Sequence, residues 1–187
     1  MAIKIFIDQG HNPVNPNAGA EGNGYREQDL VFEIARQTAA ILRQNGLDVR
    51  LSRPTPETQL GTSNASSLAA RVNDANSWGA DYFISLHTNA SEITSASGSE
   101  AFVYTEASRA YPLAQNILTQ LNASTGLPNR GVSVRTNLYV LRRTRMPATL
   151  VELGFITNPG DAARMAGQPE LFARGVADGV LAYLGEL

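Results

Sequence analysis

Apolar and polar positions follow two different periods along this chain. Short apolar or alternating runs are typical of β-strands, whereas apolar residues at helical spacing predict amphipathic helices. The short runs predict strands at residues 3–8, 48–52, 82–87, 101–104, 138–141 and 149–153. Residues 9–26 are rich in Gly, Asn and Pro and predict a long loop after the first strand.

Helical spacing fills most of the segments between these strands. It predicts helices over residues 27–45, around 68–75, around 113–121 and from 169 to about 184. Gly46, Gly79 and Gly126 follow the first three of these and are typical helix stops. Asn158 followed by Pro159 is a further helix-start signal, a capping residue before a first-turn proline.

Strands that alternate with helices predict the α/β fold class. We expect a mainly parallel or mixed sheet with helices on both faces. A length of 187 residues suits one domain, so residues 1–187 are predicted to form a single unit. Ligands of such sheets bind beyond the carboxyl ends of the strands, which is where candidate chemistry is expected.

Composition and charge narrow the class of protein. The apolar fraction of 43% and the charged fraction of 17% are ordinary for a globular domain. A net charge of -2 argues against nucleic acid or an anionic membrane surface as the main partner. The chain has no cysteine, which excludes disulfides and thiolate metal ligands.

Targeting and membrane segments are not predicted. The chain contains no apolar stretch long enough for a transmembrane helix. Its first residues predict a strand and not a signal peptide, because they include no long apolar region. If the substrate is extracellular, we expect this chain to be part of a longer protein or to reach its substrate by another route.

Four residues with chemical potential lie near the ends of predicted elements. His11 and His87 are the two histidines of the chain and end or follow strands, Glu152 lies near the end of another strand, and Glu27 opens the first helix. Two imidazoles and one carboxylate with an open position form a catalytic zinc set, and a second carboxylate would then act as general base. The spacing differs from the His-Glu-x-x-His motif of helix-borne zinc sites.

Each of these residues also has a structural interpretation. A histidine after a strand is often an ordinary hydrogen-bonded residue, and Glu27 alone fits a helix-start carboxylate favoured by the helix dipole. Glu152 differs, because its neighbours Leu150, Val151, Leu153 and Phe155 predict a buried strand. A buried carboxylate is costly unless it is paired or bound to metal, so the set favours a functional site.

Four sequence blocks, at residues 5–11, 24–27, 83–90 and 146–158, resemble a known family in order and spacing, and Arg71 and Gly131 also fit. The chain from residue 3 to 184 is similar to the zinc-dependent N-acetylmuramoyl-L-alanine amidases, the type 3 amidase family. The resemblance implies a twisted, mainly parallel sheet of about six strands. It further implies one Zn²⁺ held by His11, Glu27 and His87, with Glu152 as the catalytic carboxylate.

The resemblance also implies the substrate, the amide bond between the lactyl group of N-acetylmuramic acid and L-alanine in peptidoglycan. The site of action would be the cell wall, in cell separation, spore germination, phage lysis or wall recycling. Two alternatives stay open. Another zinc amidohydrolase, such as a peptidase or deacetylase acting on the wall, could use the same residues, and a non-catalytic wall-binding relative could retain them.

This chain departs from the family pattern at two places. Asn12 and Pro13 follow the first histidine, where the family usually has glycine, and this alters the loop beside the metal. Some family members insert a helix that covers the zinc after the strand at residues 101–104, whereas here residues 105–108 run directly into the next helix. We therefore expect an open site that needs no activating partner.

Several further residues are candidates for support or substrate contacts. Asp8, Ser85 and Asn89 lie near the ligands in sequence and could hydrogen-bond to the histidines, or they could be strand-end turn residues. Asn12, Arg71 and Arg142 are further candidates. Arg142 belongs to a group of five arginines between residues 130 and 145, which form either a rim for an acidic substrate or a solvated surface.

Overall fold

The computed structural model describes residues 2–185. The strands are β1 (Lys4–Gln9), β2 (Glu21–Gly22), β3 (Tyr25–Arg26), β4 (Asp48–Leu51), β5 (Tyr82–Asn89), β6 (Ser99–Val103), β7 (Asn129–Val134) and β8 (Ala148–Phe155). The helices are α1 (Glu27–Gln44), α2 (Asn64–Trp78), α3 (Ala110–Thr125), α4 (Tyr139–Arg143), α5 (Pro159–Gly167) and α6 (Pro169–Leu184).

The central sheet has six strands in the order β4-β1-β5-β8-β6-β7. Neighbouring strands run parallel except for β6 and β8, which are antiparallel. Strands β2 and β3 form a separate small hairpin just before α1. The predicted α/β domain with a mixed, mainly parallel sheet is therefore confirmed.

Each face of the sheet carries its own hydrophobic cluster. On one face, Ile5, Ile7 and Ile84 pack with apolar residues of α1, α3 and α6. On the other face, Phe6 and Phe83 stack at 5.6 Å and pack with residues of α2 and α4. Alternate residues of one strand supply the two clusters, as the pleat of a strand requires.

Glycines let α6 approach α3 closely. A Cβ atom on Gly179 would lie 2.3 Å from Cα of Ile117, and one on Gly175 would lie 2.6 Å from Cα of Leu121. This contact between two helices on the same face closes the larger cluster, in which Ile117 and Leu121 are fully buried.

One predicted strand is wrong and another was missed. Residues 138–141 were predicted as a strand, but Tyr139–Arg143 is helix α4, because a short apolar run does not distinguish the two structures and Val140 and Leu141 both pack toward α2 and β8. The sixth strand of the sheet is β7, for which the apolar pattern predicts no strand. It is a polar edge strand with a positive φ of 88° at Gly131, so it lacks the apolar pattern of a strand.

In the part of the chain from residue 2 to 185, none of the helices has the length and hydropathy needed to cross a membrane.

Candidate metal centre

The carboxyl ends of β1 and β5 and the start of α1 bring three predicted residues together. His11 follows β1, His87 lies near the end of β5, and Glu27 is the first residue of α1. One potential ligand atom from each of the three lies within 4.8 Å of the others. Parallel strands place their carboxyl ends at one edge of the sheet, so residues distant in sequence converge there.

Glu27 is the buried centre of this cluster. Its Oε1 accepts a hydrogen bond from the Thr88 N–H at 3.0 Å and lies 3.0 Å from His87 Nδ1. Its Oε2 accepts a hydrogen bond from the Ala20 N–H at 2.9 Å and lies 3.3 Å from His11 Nε2. Burial alone would raise the pKa of Glu27, but hydrogen bonds and charges of the two histidines outweigh it and lower that pKa.

The two imidazole rings stand almost perpendicular to each other. Their centroids are 4.9 Å apart and their planes meet at 79°. His11 has a positive φ of 66°, a backbone conformation that is uncommon for a residue with a side chain. Arg71 hydrogen-bonds to the His11 carbonyl oxygen at 2.6 Å and so holds this turn in place.

Two glycines leave the space that the cluster occupies. A Cβ atom on Gly10 would lie 2.5 Å from Cε1 of His87, and one on Gly19 would lie 2.9 Å from Oε2 of Glu27. Real Cβ atoms do not approach other atoms this closely, so a side chain at either position would displace a member of the cluster. The loop of residues 9–26 is therefore built around these three side chains.

Glu152 lies beside the cluster on the next strand. It is the register partner of His87 on β5 and of Glu100 on β6, so the three side chains project from the same face of the sheet. Its Oε2 is buried and has no hydrogen-bond partner among the described residues. Burial raises the pKa of Glu152 to about 7, the nearby charge of His87 opposes the rise, and the negative charges of Glu27 and Glu100 add to it.

Asp8, Arg71 and Ser85 form a buried network beneath the cluster. Arg71 Nη1 lies 2.6 Å from Asp8 Oδ1, and Ser85 Oγ donates to Asp8 Oδ2 at 2.7 Å. Burial opposes the charge of Asp8, but Arg71 and Ser85 outweigh burial and lower the pKa of Asp8. The network reaches the site through the His11 carbonyl oxygen and not through the imidazole rings.

The side chain of Asn12 closes the loop beside the cluster. Its amide donates to the carbonyl oxygens of Pro16 at 2.8 Å and Leu60 at 2.9 Å, and its Oδ1 accepts from the Leu60 N–H at 3.1 Å. It also accepts a hydrogen bond from Arg71 Nη2 at 3.2 Å. The fully buried Asn12 thus fastens the loop after His11 to the segment before α2.

The remaining candidates occupy the periphery. Asn89 donates a hydrogen bond to Glu100 Oε1 and not to an imidazole. Arg142 is exposed on α4 and lines a shallow cavity with Tyr104 and Arg145, away from the histidines. All five arginines between residues 130 and 145 are exposed, and Arg142 as a substrate contact stays a prediction.

A small cavity opens beside the two histidines. Its volume is about 130 Å³, and Leu68, Tyr139 and Leu150 contribute apolar walls. Sequence reasoning missed this wall, because residues 138–141 were assigned to the sheet. It also missed Glu100, although Glu100 stands two positions before buried Phe102 on β6 and so shares its face.

Comparison with known proteins identifies the family to which the chain is similar. A sequence model of the N-acetylmuramoyl-L-alanine amidase family matches residues 5–182. The chain is similar to the N-acetylmuramoyl-L-alanine amidase LytC of Bacillus subtilis strain 168, with 36% identity over 96% of this chain and 35% of that protein. It is also similar to the amidase CwlM of Bacillus licheniformis, with 34% identity over 95% of this chain and 67% of that protein.

A solved structure supports the same relation. The N-acetylmuramoyl-L-alanine amidase from Clostridium difficile 630 superimposes with a TM-score of 0.86 at 31% identity, over 98% of this chain and 97% of that chain. The present chain thus spans about a third of one curated relative and about two thirds of the other, while it covers nearly all of a solved domain.

Proposed function

Because the chain belongs to the N-acetylmuramoyl-L-alanine amidase family, we propose that it hydrolyses the amide bond between the lactyl group of N-acetylmuramic acid and L-alanine in peptidoglycan. One observation carries the proposal. Ligand atoms of His11, Glu27 and His87 converge within 4.8 Å, and the carboxylate of Glu152 lies on the adjacent strand.

The ligands of the proposed zinc ion are His11, Glu27 and His87, with one ion per chain. Two imidazole nitrogens and one carboxylate oxygen are a donor set that zinc uses at catalytic sites, where the fourth position stays open. The space that Gly10 and Gly19 leave and the backbone N–H groups that orient Glu27 fit such a set. When bound, zinc would polarise the scissile carbonyl group and lower the pKa of water to about 7.

Glu152 would transfer the proton in the reaction. Its carboxylate accepts a proton from the water whose oxygen attacks the carbonyl carbon, and then gives that proton to the nitrogen of L-alanine as the C–N bond breaks. The products are the lactyl carboxylate and a peptide with a free amino terminus. Burial raises the pKa of this carboxyl group above its ordinary value, and a raised pKa suits a group that must both lose and regain a proton.

Arg71 and Asp8 would position His11, one of the proposed zinc ligands. Arg71 donates a hydrogen bond to the carbonyl oxygen of His11, Asp8 pairs with Arg71, and Ser85 donates a hydrogen bond to Asp8. The pair therefore fixes the left-handed turn from which the imidazole of His11 projects. Groups that orient metal ligands in this indirect way commonly tune metal affinity.

The proposed place of action is the bacterial cell wall. Similar proteins include a germination-specific amidase of Bacillus subtilis and a probable cell wall amidase of Staphylococcus aureus. We also propose that no activating protein is needed, because only residues 104–109 join β6 to α3.

Digestion of purified peptidoglycan tests the proposal. The protein is assayed as prepared, after chelation, and after zinc is added back, and the products are identified by mass spectrometry. We expect zinc-dependent release of intact stem peptides that begin with L-alanine. Shortened stems or deacetylated glycan would point instead to a peptidase or a deacetylase, and zinc binding without any release would point to a non-catalytic wall-binding protein.

A further inference from the structure

We propose that Glu100 is a specificity-determining residue, whose carboxylate accepts a hydrogen bond from the peptide N–H that follows L-alanine in the stem. This inference rests on the proposed amidase function. It adds a substrate contact on the leaving-group side of the scissile bond. This contact is separate from those of His11, Glu27, His87 and Glu152.

The sheet places the relevant side chains in one row. Strand β8 lies between β5 and β6, and Glu152 is in register with His87 on one side and with Glu100 on the other. The proposed ligands His11 and His87 belong to the β1 and β5 side of Glu152. Glu100 therefore stands on the opposite side of Glu152 from the metal ligands.

The direction of the substrate follows from the role of Glu152. The scissile carbonyl group must approach the ligands, whereas the nitrogen of L-alanine must approach Glu152 to receive its proton. A peptide that continues in this direction passes from β8 toward β6. The stem beyond L-alanine consequently runs toward Glu100, and the sugar lies on the other side.

One residue of an extended peptide advances by most of the distance between two neighbouring strands. Neighbouring strands lie about 4.8 Å apart, and an extended peptide advances about 3.3–3.6 Å per residue. When the scissile nitrogen is beside Glu152, the next peptide nitrogen has moved most of one strand spacing toward Glu100. The remaining gap is within the reach of a side-chain hydrogen bond.

The carboxylate of Glu100 is oriented and still available. The side chain of Asn89 on β5 donates to its Oε1, so the hydrogen bond passes across the line of β8. None of the described residues donates to Oε2, and Glu100 is only partly buried. A carboxylate can only accept hydrogen bonds, so its free oxygen matches a peptide N–H. The β5–β8 register shift between His87 and Asn89 brings Asn89 into this position.

A substrate pair isolates the proposed contact. One substrate is a muramyl tripeptide, and the other has an ester oxygen in place of the N–H that follows L-alanine. The specificity constant kcat/KM is measured for both with the zinc-loaded wild type, Glu100→Ala and Glu100→Gln. The matched control is Glu106→Gln, an exposed glutamate beyond the opposite end of β6.

The wild type should cleave the amide-containing substrate about 10- to 100-fold better than the ester analogue, since hydrogen bonds to charged groups are stronger than those between neutral groups. This preference should fall to nearly one in Glu100→Ala and to an intermediate value in Glu100→Gln, which retains a neutral acceptor. Glu106→Gln should keep the full preference. Because the preference is a ratio for one preparation, a smaller folded fraction leaves it unchanged.

An undiminished preference in Glu100→Ala would overturn the inference. So would a wild type that digests peptidoglycan but cleaves the two small substrates equally well. These results leave the proposed function intact, whereas a wild type that releases no stem peptide from peptidoglycan contradicts the proposed function itself.

Discussion

The two ends of the strands in the central sheet differ in how their polar groups are satisfied. At the amino-terminal ends of the parallel strands, here called the amino edge, a cavity of about 510 Å³ is lined by Lys4, Asp81 and Arg109, among others. The carboxyl-terminal ends of these strands are called the carboxyl edge. At the amino edge, Asp81 accepts the Lys4 N–H at 2.8 Å, and Lys4 Nζ donates to the Trp78 carbonyl oxygen at 3.2 Å. Lys4 and Asp81 at this edge therefore have ordinary hydrogen-bond partners.

The carboxyl edge has the smaller cavity, of about 130 Å³, and two unsatisfied atoms of the candidate site. His11 Nδ1 and Glu152 Oε2 are both buried there without a hydrogen-bond partner in the described chain. A buried polar atom without a partner lowers stability, so its presence indicates a group that binds something else. Convergent buried polar atoms, more than cavity volume, identify the site in this fold.

The largest effect is expected from the carboxylate at the carboxyl edge. Glu152→Gln should lower kcat by about 10²–10⁴-fold, the usual contribution of general acid–base catalysis, while zinc stays bound. Hydrolysis rate and zinc content of the purified variant are the measurements. Glu170→Gln, at an exposed position on α6, is the control and should keep wild-type activity. Near-normal turnover by Glu152→Gln would exclude it as the proton-transfer group.

The buried network should affect folding more than any charged pair at the surface. Asp8→Asn leaves Arg71 buried without its counter-charge, and such losses cost about 3–5 kcal/mol of unfolding free energy. Asp74→Asn removes the exposed pair with Arg50 and should cost at most about 1 kcal/mol. Denaturant unfolding at neutral pH measures both values.

Acid titration of stability provides a second check on Asp8. Its pKa is lowered in the folded protein, so its charge contributes its full stability above the ordinary pKa of 3.8. This stability begins to decrease as the pH falls below 3.8 and is lost as the pH falls through the lower pKa of the folded protein. The difference in unfolding free energy between wild type and Asp8→Asn should therefore narrow below about pH 4. A constant difference from pH 7 to pH 3 would show that the charge of Asp8 is not the cause.

A smaller effect, on zinc affinity, is expected when a side chain fills the space that Gly10 leaves beside His87. Gly10→Ala places a methyl group against the ring of His87 and should weaken zinc binding by about 10–100-fold, as other disturbances of ligand orientation do. Competition with a zinc-binding dye measures the affinity. Gly167→Ala is the matched control, since a Cβ there meets no atom within 4 Å. Equal affinities for the two variants would show that the cluster tolerates a shift of His87.

Sequence reasoning predicted the site better than it predicted the sheet around it. His11, His87 and Glu152 could be named because the apolar pattern shows where strands end, and Glu27 because it opens the first helix directly after the loop that begins near His11. The structure brings the first three together and places Glu152 in register with His87. Their chemical roles, and the extent of the catalytic domain over residues 1–187, stay predictions.

The wrong prediction at α4 and the missing prediction at β7 show what a local sequence pattern cannot reveal. Residues 138–141 are apolar enough for a strand, but they cover the second face of the sheet as helix α4, whereas the polar β7 joins the sheet through backbone hydrogen bonds to β6. Backbone pairing does not require apolar side chains at an exposed edge, so the sequence of β7 lacks the apolar run of a buried strand.

The sequence by itself determined the α/β class, since periods within single elements reveal strands and helices. It also contained the residues whose roles as metal ligands and proton-transfer group the family resemblance implies, and these roles stay predictions. Only the tertiary structure decided that Glu27 lies between both histidines and that Glu100 is the register partner of Glu152. It also decided that Asp8 pairs with Arg71 and accepts a hydrogen bond from Ser85, and that neither residue hydrogen-bonds to an imidazole. Glu100 and Glu152 are opposite each other because β6 pairs with β8 in antiparallel orientation in this register. Pairing partner and register arise from contacts between distant segments, and no local pattern contains them.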